Sequence, residues 1–182
     1  PVAALAAKIA TGFSVVFAGN LGTAQALDTV IDAAEQLQRD GSPVRFFLIG
    51  SGSVSGWLAA EVERRQLDNV ELPGRFPPAV MPHFYAAASA LLVSLRDEPI
   101  FAQTIPSKVQ GYLAAGRPVI AALNGEGARV VVEAGAGLAS PAGNAASLAA
   151  AVARLAGLDA GARSDMGDNA RRYAAEHFSL DR

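Results

Sequence analysis

Residues Phe13-Ser14-Val15-Val16-Phe17-Ala18-Gly19-Asn20-Leu21-Gly22 decide how the rest of the chain is read. A short run of β-branched and aromatic residues stops at a glycine, which reads as a buried strand over 13–18 that empties into a tight loop. The period then changes. Over 23–39, Leu27, Val30, Ile31, Ala34 and Leu37 recur at i, i+3 and i+4 spacing, which predicts an amphipathic helix. The same unit recurs along the chain. A second strand over 44–49 runs into Gly50-Ser51-Gly52 and a helix around Trp57, Leu58 and Val62. A short third strand covers 69–72, and a helix beginning near Pro77-Pro78 leads to the fourth at 90–95. A helix over 105–115 closes at Gly116, strands follow at 119–123 and 137–140, and helices over 144–155 and 159–177 end the pattern.

Apolar strands separated by helices predict a parallel sheet covered on both faces. The expected fold is α/β, a Rossmann-like doubly wound parallel sheet of about six strands. At 182 residues this is one domain spanning 1–182, with 1–11 as a lead-in helix and linker and 159–182 as a C-terminal helix. A hydrophobic fraction of 51% against 18% charged residues argues against disorder. Gly, Pro or charge interrupts every apolar run before it reaches the roughly 18 residues of a membrane span. The start has no basic segment of the signal-peptide kind. The absence of cysteine excludes disulfides and Cys-ligated metals, and His83 and His177 are too far apart in sequence to suggest a metal pair; no metal is expected. A formal charge of −2 exerts no global pull on nucleic acid or anionic lipid, so any bound anion must be held by local geometry. The chain opens at Pro1 on an Ala-rich stretch without an initiator Met, which reads as a piece of a longer polypeptide.

In doubly wound folds, ligands bind beyond the carboxyl ends of the strands. Gly19-Asn20-Leu21-Gly22-Thr23 follows the first strand and Gly50-Ser51-Gly52-Ser53 the second. Arg96-Asp97-Glu98-Pro99 and Thr104-Ile105-Pro106-Ser107-Lys108 follow the fourth, and Asn124-Gly125-Glu126-Gly127 the fifth. One such loop reads as a tight turn. Several at one edge, each leading into a helix N-terminus, point to a phosphate-bearing ligand approached by backbone N–H groups. Gly19 and Gly22 lack the spacing of the dinucleotide fingerprint, and no P-loop is present. Lys108 is one of only two lysines and falls in the first turn of a helix, where the dipole disfavours a cation. It is either a solvated surface lysine or a cation reaching back over the helix start to a bound diphosphate. Glu98 and Glu126 are candidates to accept ribose or sugar hydroxyls. Arg75 and Phe76 offer a guanidinium and an aromatic face to a nucleobase, with a core role for Phe76 as the alternative. Arg163, Arg171 and Arg172 read as a solvated helix face.

The order of these segments resembles the C-terminal domain of retaining glycosyltransferases of family 4, enzymes with two Rossmann-like domains facing a cleft (the GT-B architecture). The resemblance rests on Phe17-Ala-Gly-Asn-Leu-Gly22, Phe47-Leu-Ile-Gly-Ser-Gly52, Asn69-Val-Glu-Leu-Pro-Gly74 and Ile105-Pro-Ser-Lys108. It continues through Ala114-Ala-Gly-Arg-Pro-Val-Ile120, Glu133-Ala-Gly-Ala-Gly137 and Met166-Gly167 with Arg171. The Pro-Ser-Lys and Ala-Gly-Arg-Pro-Val-Ile segments are most similar to the branch of bacterial surface-polysaccharide fucosyl and N-acetylfucosaminyl transferases.

The resemblance implies that this half binds a nucleotide diphosphate sugar and that an N-terminal acceptor domain, absent here, belongs to the same parent chain. It implies transfer of the sugar, with retention, to a glycan or lipid-linked acceptor, with no cofactor, at a cytoplasmic location or at the inner membrane face. Lys108 becomes the catalytic candidate. The implied donor contacts are Gly19, Asn20, Gly22, Gly50, Ser51, Gly52, Arg75, Phe76, Glu98, Gln103, Thr104, Ser107 and Glu126. The chain also departs from the family. Asn20 and Gln25 stand where the family commonly has Arg and Lys, and Gln103 and Gly111 stand where it commonly has two Glu, the second holding the ribose. Lys108 is the candidate replacement for the lost charge. The isolated domain is expected to bind donor weakly and transfer nothing. A non-catalytic sugar-nucleotide-binding module and a sugar-nucleotide epimerase of the same architecture are the alternatives.

Overall fold

The computed structural model describes residues 1–178. Helix α1 (Val2–Ile9) leads into β1 (Ser14–Ala18), followed by α2 (Leu27–Arg39), β2 (Arg45–Ile49), α3 (Ser55–Arg64) and β3 (Val70–Gly74). Then come α4 (Met81–Ala87), β4 (Ala90–Ser94), the short α5 (Pro99–Ala102), α6 (Ser107–Ala115) and β5 (Val119–Ala122). Helix α7 (Glu126–Glu133), β6 (Gly137–Ser140), α8 (Ala145–Gly157) and α9 (Ala160–His177) complete the order. All six strands pair in parallel in the order β3-β2-β1-β4-β5-β6. The expected doubly wound sheet is therefore present. Positions 179–182 of the expected C-terminal helix lie outside the described residues.

Strand β1 shows why a parallel sheet results. All five of its residues are buried. Val15 and Phe17 face the layer that includes α2 and α8, while Val16 faces the layer of α1, α4, α6 and α9. Successive side chains point to opposite faces, so a strand apolar at every position needs a cover on both sides. Each of these side chains contributes about 1.5–3 kcal/mol when fully buried.

Three differences from the expected elements have physical causes. The helix expected over 23–39 is broken: residues Thr23–Gln25 form a 3-10 turn, Ala26 is left-handed at φ 48°, and α2 starts at Leu27. The Thr23 carbonyl accepts from the Arg96 guanidinium and the Ala24 carbonyl from the Arg96 backbone N–H at 2.9 Å, so neither is available to a continuing α-helix. Residues 126–133 form α7 where the sequence reading had only a loop. Of the arginines expected on a solvated helix face, Arg163 departs from that reading: it is half-buried, donates to the Leu158 carbonyl and lies over the Phe13 ring. Arg171 and Arg172 stay exposed as expected, Arg171 lying at the surface over Gly116, the left-handed cap of α6.

Helix α3 is tied to α2 by Arg65, which reaches Asp32 at 2.7 Å and Glu35 at 3.1 Å while bonding Glu61 at 2.8 Å. Hydrogen bonds from Arg64 and Arg65 hold the Glu61 carboxyl down at about 2. No single helix among the described residues is long and apolar enough to cross a membrane; α8 and α9 pass together only across a bend of 111°.

Candidate functional site

A cavity of about 600 Å³ opens at the carboxyl ends of β1 and β2, beside the point where the strand order reverses between β1 and β4. That is where doubly wound sheets place ligands, and the volume falls within the roughly 300–1,000 Å³ of small-molecule sites. Of the residues named from sequence, Gly19, Asn20, Gly50, Ser51, Gly52, Arg75, Phe76 and Lys108 line it. Ala18, Ile49, Pro78, Met81 and Tyr85 complete the wall.

The two glycine loops are packed backbone against backbone. Gly50 has φ +147°, and a Cβ there would lie 1.8 Å from the Gly19 carbonyl oxygen. Only glycine permits this approach. The glycine amides, however, are already used. Gly19 donates to the Ile49 carbonyl, Gly50 to the Gly74 carbonyl, Gly22 to Gln25 Oε1 and Gly52 to Ser55 Oγ. Of the residues of these two loops that line the cavity, Asn20 and Ser51, each directly after a glycine, have N–H groups without a partner among the described residues. The glycines therefore shape the loops, and their neighbours hold the donors that an anion can use.

Lys108 is the second residue of α6 and is half-buried over Gly19. A Cβ on Gly19, whose φ is +144°, would sit 3.3 Å from both Lys108 Cε and Nζ, so the missing side chain at Gly19 makes the room the lysine occupies. No ion pair to Lys108 exists among the described residues. Burial lowers its proton affinity below that of an ordinary lysine. A half-buried ammonium in a cavity with two unpaired amides, at the start of a helix, has the chemistry that suits an anion. Half-burial beside Gly19 distinguishes Lys108 from a fully solvated surface lysine.

One helical turn on, Tyr112 fixes the end of β1. It is 1% exposed, its hydroxyl accepts from the Ala18 N–H at 3.1 Å, and burial pushes its phenol far above the usual range. Tyr85 packs edge-to-face on Tyr112 with ring centroids 5.6 Å apart, and burial raises its phenol as well. Phe76 stands edge-to-face on Phe84 at 4.9 Å and still lines the cavity, so it has both a core contact and a site-facing surface.

The other predicted contacts lie at the same sheet edge but outside this cavity. Gly22 lines a smaller neighbouring groove. Glu126 is not on a loop: it is the first residue of α7 and is bonded to Arg129 at 2.8 Å, which holds its carboxyl below the usual range. Glu98, Gln103, Thr104 and Ser107 are exposed around α5 and the start of α6 and line no part of the cavity. Met81, Tyr85 and Tyr112 were missed by the sequence reading. Their signal was weak: two tyrosines on Ala-rich helices look like ordinary core residues until the strand order brings α4 and α6 to β1.

A doubly wound domain with a cavity at its switch point belongs to the class of α/β folds that bind ligands beyond the carboxyl ends of their strands. The chain belongs to the group 1 glycosyl transferases, whose family model matches residues 12–157. It is 26% identical over 165 residues to a probable glycosyltransferase, WbjE, of Pseudomonas aeruginosa, covering 90% of this chain and 40% of that protein. Among solved structures, it is similar to HepE from Anabaena in complex with UDP and glucose (TM-score 0.80, 22% identity, 99% of this chain and 48% of that one). It also resembles sucrose-phosphate synthase from Thermosynechococcus elongatus (TM-score 0.81, 22% identity, 100% of this chain and 46% of that one). The chain thus spans less than half the length of each of these relatives.

Proposed function

We propose that this chain is the donor-binding half of a retaining glycosyltransferase that moves a sugar from a nucleotide diphosphate sugar to a glycan or lipid-linked acceptor. The observation that carries the reading is Lys108 Nζ lying over Gly19, in the cavity that Asn20 and Ser51 also line with their unpaired amides, with no carboxylate partner among the described residues. In this reading the base lies toward Arg75 and Phe76 and the diphosphate toward Gly19 and Lys108. As the bond from the anomeric carbon to the diphosphate oxygen breaks, negative charge grows on the leaving group. The ammonium, the two amides and the start of α6 stabilise that charge where it develops. Lys108 thereby supplies charge that the resemblance would have assigned to Asn20 and Gln25.

The domain lacks a carboxylate at position 111, and a Cβ there would meet nothing within 4 Å. The ribose is held without the family's usual Glu, which fits a weak grip by this half alone. The names of the relatives support a sugar-transfer role in polysaccharide assembly and make uridine diphosphate the first nucleotide to try. The N-terminal domain of the parent chain supplies the facing wall and most of the acceptor contacts.

A thermal-shift panel of UDP, GDP, ADP and dTDP tests the reading, because a ligand that binds only the native state raises the melting temperature. One diphosphate should raise it well above its own monophosphate. No shift with any of the four would sink the donor-domain reading.

A further inference from the structure

We infer that the groove beside the donor cavity, floored by Leu27 and Val54 and edged by Trp57, binds one pyranose ring of the acceptor glycan; this assignment rests on the donor-domain reading above. Trp57 is the chain's single tryptophan and is 43% exposed. Its neighbour Leu58 is the buried anchor of α3 at 0% exposure, so the indole is not needed to hold the helix in place. The indole shares the groove wall with Leu27 and Val54, so it forms part of a continuous apolar surface. Asp28, Thr23 and Arg96 line the same groove, whose volume is about 180 Å³. That is room for a single ring, well below the roughly 300 Å³ at which drug-sized sites begin.

The polar side chains suit a sugar. A pyranose has a C–H face, which an indole covers, and a rim of hydroxyls that both donate and accept. Asp28 accepts only and Arg96 donates only, so together they satisfy both roles. Neither takes part in an ion pair among the described residues. The groove is also preformed. The Arg96 guanidinium is fixed on the Thr23 carbonyl, Ala26 sits in its left-handed turn, and α3 is bound to α2 through Arg65. Such a site gives up little freedom on binding.

Its position connects it to the chemistry. Asn20 lines the donor cavity and Gly22 lines the groove, with Leu21, 3% exposed, as the wall between them. A ring on Trp57 would therefore lie beside the diphosphate end of the donor.

Because Trp57 is the only tryptophan, its fluorescence reads this groove alone. Titration with methyl α-D-glucopyranoside and methyl N-acetyl-α-D-glucosaminide should give a saturable emission change in the millimolar range and protect the indole from acrylamide quenching. Asp28→Asn should weaken that saturation by about tenfold, the size expected for loss of one charge-assisted hydrogen bond. Lys108→Ala should leave it unchanged. A flat titration with both glycosides overturns the inference, as does a response to adenosine but to neither glycoside. So does a signal that UDP competes away, since that places the sugar in the donor cavity. Calorimetry with UDP runs in parallel. UDP binding with no glycoside response sinks the groove assignment alone, whereas a glycoside response with no UDP binding sinks the acceptor role together with the donor reading.

Discussion

The loops after β1 and β2 and the loops after β4 and β5 share one sheet edge but differ in how far their polar side chains are fixed. The first pair interlock through backbone atoms. Gly50 presses on the Gly19 carbonyl, Leu21 N–H donates to the Ser51 carbonyl at 3.0 Å, and Val54 N–H returns to the Leu21 carbonyl at 2.9 Å. Lys108 and Tyr112 of α6 then lock this pair from above. In the second pair Gly125 likewise packs on the Ala102 backbone, but the polar side chains stay on the surface: Glu98, Gln103 and Thr104 are exposed, and the contacts there include Asn124 to Asp97 at 3.0 Å and Glu126 to Arg129. The contrast suggests a division of labour. In the proposed reading, the part of the site that meets an invariant group, the diphosphate, is built before the ligand arrives. The part that would meet the variable sugar is left open, to be shaped by the donor and the facing domain.

Three substitutions break or sharpen that contrast. The largest effect belongs to Gly50→Ala, whose methyl has no space beside the Gly19 carbonyl and whose φ is costly for alanine. It should lose at least about 3 kcal/mol in denaturant unfolding. Tyr112→Phe keeps the ring but strands the buried Ala18 N–H, and should cost about 1–3 kcal/mol by the same measurement. A smaller and opposite effect is expected for Gly111→Glu. That exposed helix position has open space and an ordinary φ, so replacing glycine should gain about 0.5–1 kcal/mol of stability. If the ribose lies over α6, the new carboxylate should also tighten UDP binding in calorimetry.

Much of the fold was legible because burial on both sides leaves an unmistakable record. Runs such as 13–18, 44–49 and 90–95 are apolar at nearly every position, and each ends at or near its predicted residue. What the sequence hid were features set by partners distant in the chain. Arg96 captures the carbonyls of Thr23 and Ala24, which breaks a helix that periodicity alone would have continued. Helix α7 was masked by two glycines at its start and an ion-paired polar face. Within the site, the residue types at Gly19, Asn20, Gly50, Ser51 and Lys108 were legible from loop chemistry. Which amides remain free was not, because that depends on the Gly74 carbonyl and on Gln25 and Ser55, each of which takes one glycine N–H. Glu126 looked available for the same reason: its Arg129 partner becomes a neighbour only once α7 forms.

The most direct measurement is calorimetric binding of UDP to the wild-type chain, to Lys108→Ala and to Gln103→Ala, repeated across a pH series. Lys108 holds its proton less tightly than an ordinary lysine because it is buried, and a bound diphosphate restores that affinity. Binding should therefore take up a proton once the pH exceeds the lowered value, and affinity should fall as pH rises through it. Lys108→Ala should lose about tenfold or more in affinity and lose the proton uptake. Gln103→Ala should bind UDP like wild type, with stability within about 0.5 kcal/mol of it. Unchanged UDP affinity in Lys108→Ala, with the same pH profile, would contradict the account.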